Sequence, residues 1–502
     1  MTQFPGAERF AENYAHHRPQ VVWTELVADL ETPVSAMLKL ASDQRYGFLL
    51  ESVEGGAVRG RYSVLGFDPD LVWRCTGEHA EVAHVSAGTQ SEFRACDETS
   101  LDALASLIAA SQIELPDEVP PSAVGVFGYM SYDMVRLMER LPDANPDVIG
   151  IPDAVFIRPR VTAVFDNVAD KITVVTPVWP DPDVDAEAAY AAAGARLDAI
   201  VTGLDRSVPG GPLVSSEMPD LAEPVSNTTR EAYHTMVERA KEYIRAGDIF
   251  QVVPSQRFSL PLAAPPMALY RALRRLNPSP FLFIVNMDGF SLVGSSPEIL
   301  VRLRDDTVTV RPIAGTRPRG ATSAEDEALA EELLADPKEQ AEHLMLLDLG
   351  RNDVGRVAEI GTVEVTESYK IERYSHVMHI VSNVQGQIKS ALTALQALVA
   401  GFPAGTVSGA PKIRAMEIID ELEGERRSFY AGTVGYFGAN GDMDTCITLR
   451  TALVRNGTMY VQAGGGVVAD SDPEAEYQES NNKAKALLRA AAEAQRYANI
   501  SG

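Results

Sequence analysis

Two acidic pairs with the same spacing carry the first chemical signal. In "ADPKEQAEHLMLLDLGRND", Asp336 and Pro337 read as an N-cap and first helical position, so Glu339 and Glu342 share one face of a helix start. In "SDPEAEYQESNNKAKALLRAA", Asp472 and Pro473 repeat that signal, and Glu476 and Glu479 repeat the spacing. Two helix starts with two carboxylates each would suit a hard cation such as magnesium, which takes oxygen ligands and keeps open positions for a ligand carboxylate. First-turn acids also complement the helix dipole, and Glu339 stands where a capping-box glutamate belongs. Spacing alone leaves both readings open.

Four further stretches carry reactive types. "RPIAGTRPRG" (311–320) gathers three arginines and two glycines around Ala314, a composition suited to an anionic small molecule. "GSSPEIL" sets Glu298 after a tight corner at a strand end, as a buried general acid or an ordinary strand-end carboxylate. "CITLRTAL" is expected to hold Arg450 inside an apolar strand, where it needs an anion, from the protein or from a ligand. In "ERYSHVMHIVSNVQG" the strand period puts His379 with Val377 and Val381, and His376 on the other face. His379 is thus either a core residue or a catalytic one. The three glycines of "QAGGGVVAD" allow close backbone approach to a ligand but lack the Walker spacing.

The elements that must position these groups are long helices mixed with short strands. "DAEAAYAAAGARLDAIVTGL" (185–204) reads as a helix. "REAYHTMVERAKEYIRAG" reads as another, with Thr228 and Glu231 as its capping box, Tyr233, Met236, Val237, Ala240 and Ile244 on one face, and a stop at Gly247. "DIFQVVPSQRFSL", the segments flanking the turn "NMDG", and "TVTVRPIAG" read as strands. The mixing predicts an α+β fold with large, mainly antiparallel sheets. A Pro-, Gly- and Ser-rich stretch, 204–227, separates an N-terminal region, 1–203, from a region expected to hold the chemistry, 228–492, with a tail, 493–502.

At 502 residues and 45% hydrophobic the chain can bury a large core. Its net charge of −26 argues against nucleic acid as a partner. Three scattered cysteines fit a reducing cytoplasm and give no zinc spacing. The first residues show no apolar signal region, and no stretch reaches the roughly 18 apolar residues of a membrane span.

In their order along the chain, "AGDIFQVVPSQRF", "NPSPF", "GSSPE", "PIAGTRPRG", "EHLMLLDLGRND", "ERYSHVMHIVS", "FPAGTVSGAPKIRAMEIIDELE", "YAGTVGYF" and "QAGGGVVADSDPEAEYQESNNKA" resemble the chorismate-utilising enzymes, and among them the component I (large-subunit) branch of the anthranilate synthases. The likeness is dense from Thr228 to about Ala490 and extends N-terminally through "FLLESVEG", "RGRYSVLG" and "GVFGYMSYDMVR".

The resemblance implies a two-lobed α+β fold and a Mg2+ ion binding the ring carboxylate of chorismate. Glu342 and Glu479 match the metal ligands, with Glu339 and Glu476 supporting them. Gly315, Thr316, Tyr430, Arg450, Gly464, Gly465 and Gly466 match substrate contacts. Glu298 matches the general acid that helps the 4-hydroxyl leave, and His379 a histidine near the ring during pyruvate elimination. Relatives that attack the ring with a lysine carry it where Ala314 stands, and those that add water carry a lysine where Gln251 stands. With neither present, free ammonia is the expected nucleophile.

"TCITL" offers no glutaminase elbow, so a separate glutamine amidotransferase subunit is expected to supply ammonia within a hetero-oligomer, as a heterotetramer. Ser52, Pro280, Phe281 and Leu282 match the L-tryptophan site of feedback-regulated members, with Phe281 in place of the usual tyrosine. Two rival readings remain: a synthase that stops at the 2-amino intermediate, and a non-catalytic tryptophan-sensing subunit.

Overall fold

The computed structural model describes residues 2–42, 44–54, 58–86, 89–209, 221–374 and 377–498. His376 and residues 210–220 of the proline-rich stretch lie outside the described residues.

Every strand pairing within the sheets is antiparallel, and among the described residues 22 strands join into one continuous sheet whose pairings trace two large halves, the first and second sheets. One runs from Ser255–Pro261 through Thr458–Gly464, Thr451–Arg455, Phe290–Ser296, Phe281–Met287 and Gly47–Glu51. The other joins Val377–Gln387, Thr307–Val310, Ile299–Arg304, Met443–Ile447, Thr433–Gly438 and Gly125–Met130. Two long strands, Tyr62–Thr76 and Ala154–Asp166, belong to both. Ala163 and Val164 pair with Leu65 and Val64 on the side of the first sheet, while Phe156 and Val155 pair with Trp73 and Arg74 on the side of the second. Between these halves the register shifts beside Arg158, and Pro159 faces Pro69. Proline removes a ladder donor, so a facing proline pair suits the corner where a strand pair passes from sheet to sheet. Arg158 secures it by donating to both oxygens of Asp70, each at 2.8 Å.

Alternation along the strands fills three layers. In Phe281–Met287, Phe283, Val285 and Met287 face the core between the sheets, while Leu282 and Ile284 face the helices outside. Strands before and after the 204–227 stretch share both sheets, as in Gly47–Glu51 with Phe281–Met287 and Gly125–Met130 with Thr433–Gly438.

Several expectations shift in detail. The helix Arg230–Ala246 buries Tyr233, Met236, Val237 and Ala240 and ends on left-handed Gly247, but its cap is Thr229, not Thr228 with Glu231. Both threonines have the right chemistry, and the one whose backbone is extended at the helix start takes the role. "DIFQVVPSQRFSL" divides into Gln251–Val252 and Ser255–Pro261, because Pro254 has no ladder donor. "TVTVRPIAG" divides around Pro312 into Thr307–Val310 and Ile313–Pro318. The last helix, Pro473–Ala498, runs into the segment expected to be a tail, to the last described residue.

Candidate active site

Both Asp-Pro signals start helices. Asp336 accepts from the Lys338 and Glu339 amides at the head of Pro337–Val357, and Asp472 accepts from the Ala475 amide at the head of Pro473–Ala498. The four acids converge from these two starts, each differently supported. Arg317 holds Glu339 at 3.1 Å while also pairing with Asp336 and Glu332. Gln251 donates to Glu342 at 3.2 Å. Ser471 donates to one oxygen of Glu476 at 2.7 Å, and the other oxygen is buried with no hydrogen-bond partner. Glu479, half exposed, pairs with Lys483 four residues on, at 2.7 Å.

Burial raises the carboxyl of Glu342 above its ordinary range, and the negative charges of Glu339 and Glu479 add to that. Glu476 is raised by burial too, with Glu479 adding. Desolvated, mutually repelling oxygens with an orphaned acceptor form a donor set for a hard cation. Among the described residues no three acids close into a compact metal cage. That is compatible with magnesium, which is held by one or two carboxylates and keeps water or ligand in its other positions.

The glycine run explains itself by what a side chain would strike. A Cβ at Gly466 would collide with the Gln251 amide, and one at Gly465 would lie 2.7 Å from the orphaned oxygen of Glu476. Gly464 abuts the Pro254 carbonyl, and its own carbonyl accepts from Lys483 at 2.9 Å. This loop therefore touches both acid pairs and the strand Ser255–Pro261 at once. Gly315 has φ +65, and a Cβ there would stand 3.0 Å from Glu339.

Glu298, His379 and Arg450 gather on the other side. Glu298 is buried, and burial pushes its carboxyl up to about 8, against the opposing pull of the Thr406 hydroxyl (3.2 Å), the Ile313 backbone and Arg450. It is a neutral acid at neutral pH. His379 Nδ1 lies 2.8 Å from the Gly315 carbonyl and 3.1 Å from the Thr316 hydroxyl. Burial pulls this ring down to about 4, so the imidazole is neutral. With a carbonyl as its close partner, Nδ1 must carry the proton, which leaves Nε2 as a free base. Tyr374 packs edge-on against the ring at 5.6 Å.

Arg450 departs from expectation. It sits not inside a strand but between Met443–Ile447 and Thr451–Arg455, with left-handed φ +47. Leu449 and Arg450 break the apolar run, whose hydrophobicity hides the turn. Among the described residues its guanidinium has no ion-pair partner. Burial pushes it below its usual value, with Tyr374 and Glu298 pulling the other way. A desolvated cation without a structural carboxylate is built for a ligand anion. Buried Tyr430 is pushed up to about 12, chiefly by burial, and remains a neutral hydroxyl. Cys446, buried in its strand with its thiol pushed well up by burial, has no character of a nucleophile.

Sequence reading missed the side chains that hold these groups: the Gln251 amide on Glu342, Thr406 on Glu298 and Tyr374 on His379. Lys483 was findable, being four residues after Glu479 on one helix face.

Ser52, Pro280, Phe281 and Leu282 line one wall of a cavity of about 740 Å³, with Arg311, Ile313, Glu372 and Tyr374 opposite. Beside Ser52, Glu51 is buried and accepts from Tyr270 (2.5 Å) and twice from Arg274 (2.7 and 2.9 Å). The opposite wall reaches the site directly, since Tyr374 packs on His379 and donates to Glu372 at 2.8 Å.

This architecture, two antiparallel sheets with an acid-lined mouth at one end, is that of a chorismate-binding enzyme, whose family model matches residues 68–489. The anthranilate synthase component 1 of Cereibacter sphaeroides is 57% identical over 502 residues, all of both chains. That of Pseudomonas putida is 49% identical over 472 residues, 93% of this chain and 94% of its own. The crystal structure of anthranilate synthase component I from Streptococcus pneumoniae superposes with a TM-score of 0.73 at 36% identity, covering 92% of this chain and 99% of the other. The menaquinone-specific isochorismate synthase of Escherichia coli shares the fold alone, at TM-score 0.70 and 20% identity, over 97% of this chain and 100% of its own. The chain belongs to the chorismate-binding enzyme family, in its anthranilate synthase component 1 group.

Proposed function

We propose that this chain converts chorismate and ammonia to anthranilate and pyruvate. The observation that carries the reading is the pairing of a neutral buried acid, Glu298, with an arginine, Arg450, that has no carboxylate partner among the described residues. A substrate with two carboxylates and a poor leaving group calls for both.

Arg450 and the Tyr430 hydroxyl would hold the enolpyruvyl carboxylate, and the 315–316 and 464–466 backbones would cradle the ring. Glu342 and Glu479 would hold Mg2+, backed by Glu339 and Glu476. When bound, the ion would neutralise the ring carboxylate and draw electrons from the ring. Ammonia then forms the C2–N bond as the ring double bonds shift and the C4–O bond breaks. Glu298 supplies the proton with which that oxygen leaves as water. In the second step His379 Nε2 takes the C2 proton, the bond from the ring to the enolpyruvyl oxygen breaks as the ring aromatises, and the departing enolate takes up that proton at its methylene carbon to leave as pyruvate. Ala314 keeps this region free of a competing amine.

The same reading makes a glutamine amidotransferase component the ammonia source, the cytoplasm the setting, and tryptophan the inhibitor that occupies the cavity beside Ser52. No helix among the described residues is long and apolar enough to cross a membrane.

The test is chorismate with magnesium and excess ammonium, followed by anthranilate fluorescence with and without chelator and tryptophan. Fluorescent product lost on chelation and suppressed by tryptophan is expected. Chorismate consumed without fluorescence would mean that the reaction stops at the 2-amino compound. No consumption, even with a glutaminase component added, would overturn the reading.

A further inference from the structure

Behind the candidate site lies a buried ion pair between Arg427 and Glu423, one of whose neighbours is the candidate substrate contact Tyr430. Arg427 is among the largest fully buried side chains. Its guanidinium donates to both oxygens of Glu423 at 2.9 and 2.6 Å, to the Val407 carbonyl at 2.7 Å and to the Val253 carbonyl at 2.6 Å. It also lies over the rings of Tyr132 at 4.9 Å and Tyr430 at 5.5 Å. Glu423 in turn accepts from the amide and hydroxyl of Ser255, both at 2.8 Å.

Val407, Val253, Ser255 and Tyr430 each abut or belong to the site. Val407 follows Thr406, whose hydroxyl holds Glu298. Val253 precedes Pro254, whose carbonyl abuts Gly464, and Ser255 pairs with Gly464 across the sheet. Tyr430 is itself a candidate substrate contact. Three segments distant in sequence (253–255, 406–407 and 430) therefore take their relative positions from one guanidinium and one carboxylate. Burying such a pair yields little net stability, because desolvation offsets the attraction. What it gives that apolar packing would not is a fixed geometry, since the guanidinium fork accepts partners only in its own plane.

We infer that Arg427 and Glu423 form a positioning pair that fixes Thr406 with Glu298, the Gly464 backbone and Tyr430 in the arrangement needed for turnover. The inference rests on the function proposed above. Arg427 is not a catalytic residue, because it acts only through the groups it holds.

Arg427→Lys keeps the charge and removes the fork. Its kcat with chorismate, magnesium and ammonium is expected to fall roughly 10–100-fold, the scale of a small misplacement of reacting groups, while KM for ammonium stays near the wild-type value. Because the effect runs largely through Glu298, the same substitution added to Glu298→Gln should cost much less, within about threefold. An equal loss on both backgrounds, or an unchanged kcat with only a lowered melting temperature, would make the pair merely structural and overturn the inference. If Arg427→Lys does not fold, Glu423→Gln is read by the same cycle, since it keeps shape and acceptor but halves the pair. A wild-type chain that folds and leaves chorismate intact would overturn the function, and with it this role, whereas a wild type that turns over beside an unaffected Arg427→Lys would sink only the positioning claim.

Discussion

Glu51 and Glu476 are both buried carboxylates, and they stand in opposite electrostatic circumstances. Glu51, at the wall of the large cavity, has three donors from Tyr270 and Arg274. Glu476, at the mouth between the two helix starts, has one donor on one oxygen and none on the other. A buried acceptor without a partner costs free energy unless something completes it, so such groups persist where a ligand does so. The two regions are thus built to different ends. Around Glu51 the protein satisfies its own polar groups and leaves a shape. At the mouth it leaves charge unsatisfied, as the cation and anion of the proposed function would require. Glu298 and Arg450 extend the second pattern, a neutral acid and a cation lacking a carboxylate partner among the described residues.

The comparison breaks most visibly at Glu298. Glu298→Gln keeps the shape and removes the proton, so kcat should fall about 10³-fold, within the range of general acid catalysis. Wild-type activity should decline as pH rises through about 8, where the carboxyl ionises, and the variant should lack that limb. Wild-type stability falls in the same direction with pH. A carboxyl raised from 4.5 to about 8 favours the folded state below 4.5 and loses that advantage as pH rises towards 8. The glutamine variant should therefore gain melting temperature over wild type towards pH 8. Retained activity in the variant would remove the distinction between the two regions.

Gly466→Ala is expected to come next. Its methyl group would displace the Gln251 amide that steadies Glu342, and a shift of that size costs about 10²-fold in kcat. The melting temperature should move little, because Gly466 lies on a loop. A kinetically silent alanine would mean that the acids need no such support.

The parts of this mouth differ in how far the sequence discloses them. Asp336-Pro337 and Asp472-Pro473 were legible because an N-cap followed by proline is a local signal with one outcome. The sheet order was legible as antiparallel only in kind, since the facing prolines 69 and 159 meet across ninety residues of chain. The Thr229 cap shows the limit at short range, where two adjacent threonines compete and one residue of register decides. Arg450 shows it in another way: a left-handed turn without glycine leaves no mark in an apolar run. Gln251, Thr406 and Arg427 were not legible as supports, because what they hold lies 91, 108 and 174 residues away in their hydrogen bonds. The residues meant to touch ligand carry unusual chemistry in short motifs, whereas those that hold them are ordinary until the fold brings them together.

His379 sharpens the comparison from the side of stability. Its ring is held near 4 by burial, below an unfolded value of about 6.5, so its neutral form stabilises the protein above 6.5. That contribution is lost as pH falls from 6.5 through about 4, at a cost on the order of 3 kcal/mol. Melting temperature followed across this window should drop more steeply in wild type than in His379→Asn, whose amide still donates to the Gly315 carbonyl. Equal slopes would place the acid sensitivity elsewhere.

The smallest effect belongs to the cavity, and it tests whether the self-satisfied region is regulatory. Ser52 lines the cavity beside a carboxylate that already has its donors, and among the described residues its hydroxyl has no hydrogen-bond partner, which suits it to meet a ligand. Ser52→Ala removes one hydrogen bond to such a ligand, worth about 1 kcal/mol, and should raise the tryptophan concentration needed for half-inhibition by roughly 5–10-fold. Turnover without tryptophan should hardly change, because the opposite wall (Tyr374 against His379) is untouched. If both turnover and inhibition fell together, the cavity and the mouth would be one functional unit and the contrast between Glu51 and Glu476 would lose its meaning. If inhibition alone weakened, the route from the cavity to the ring of His379 would be the contact to examine next, with Tyr374→Phe expected to keep that packing and Tyr374→Ala to abolish it.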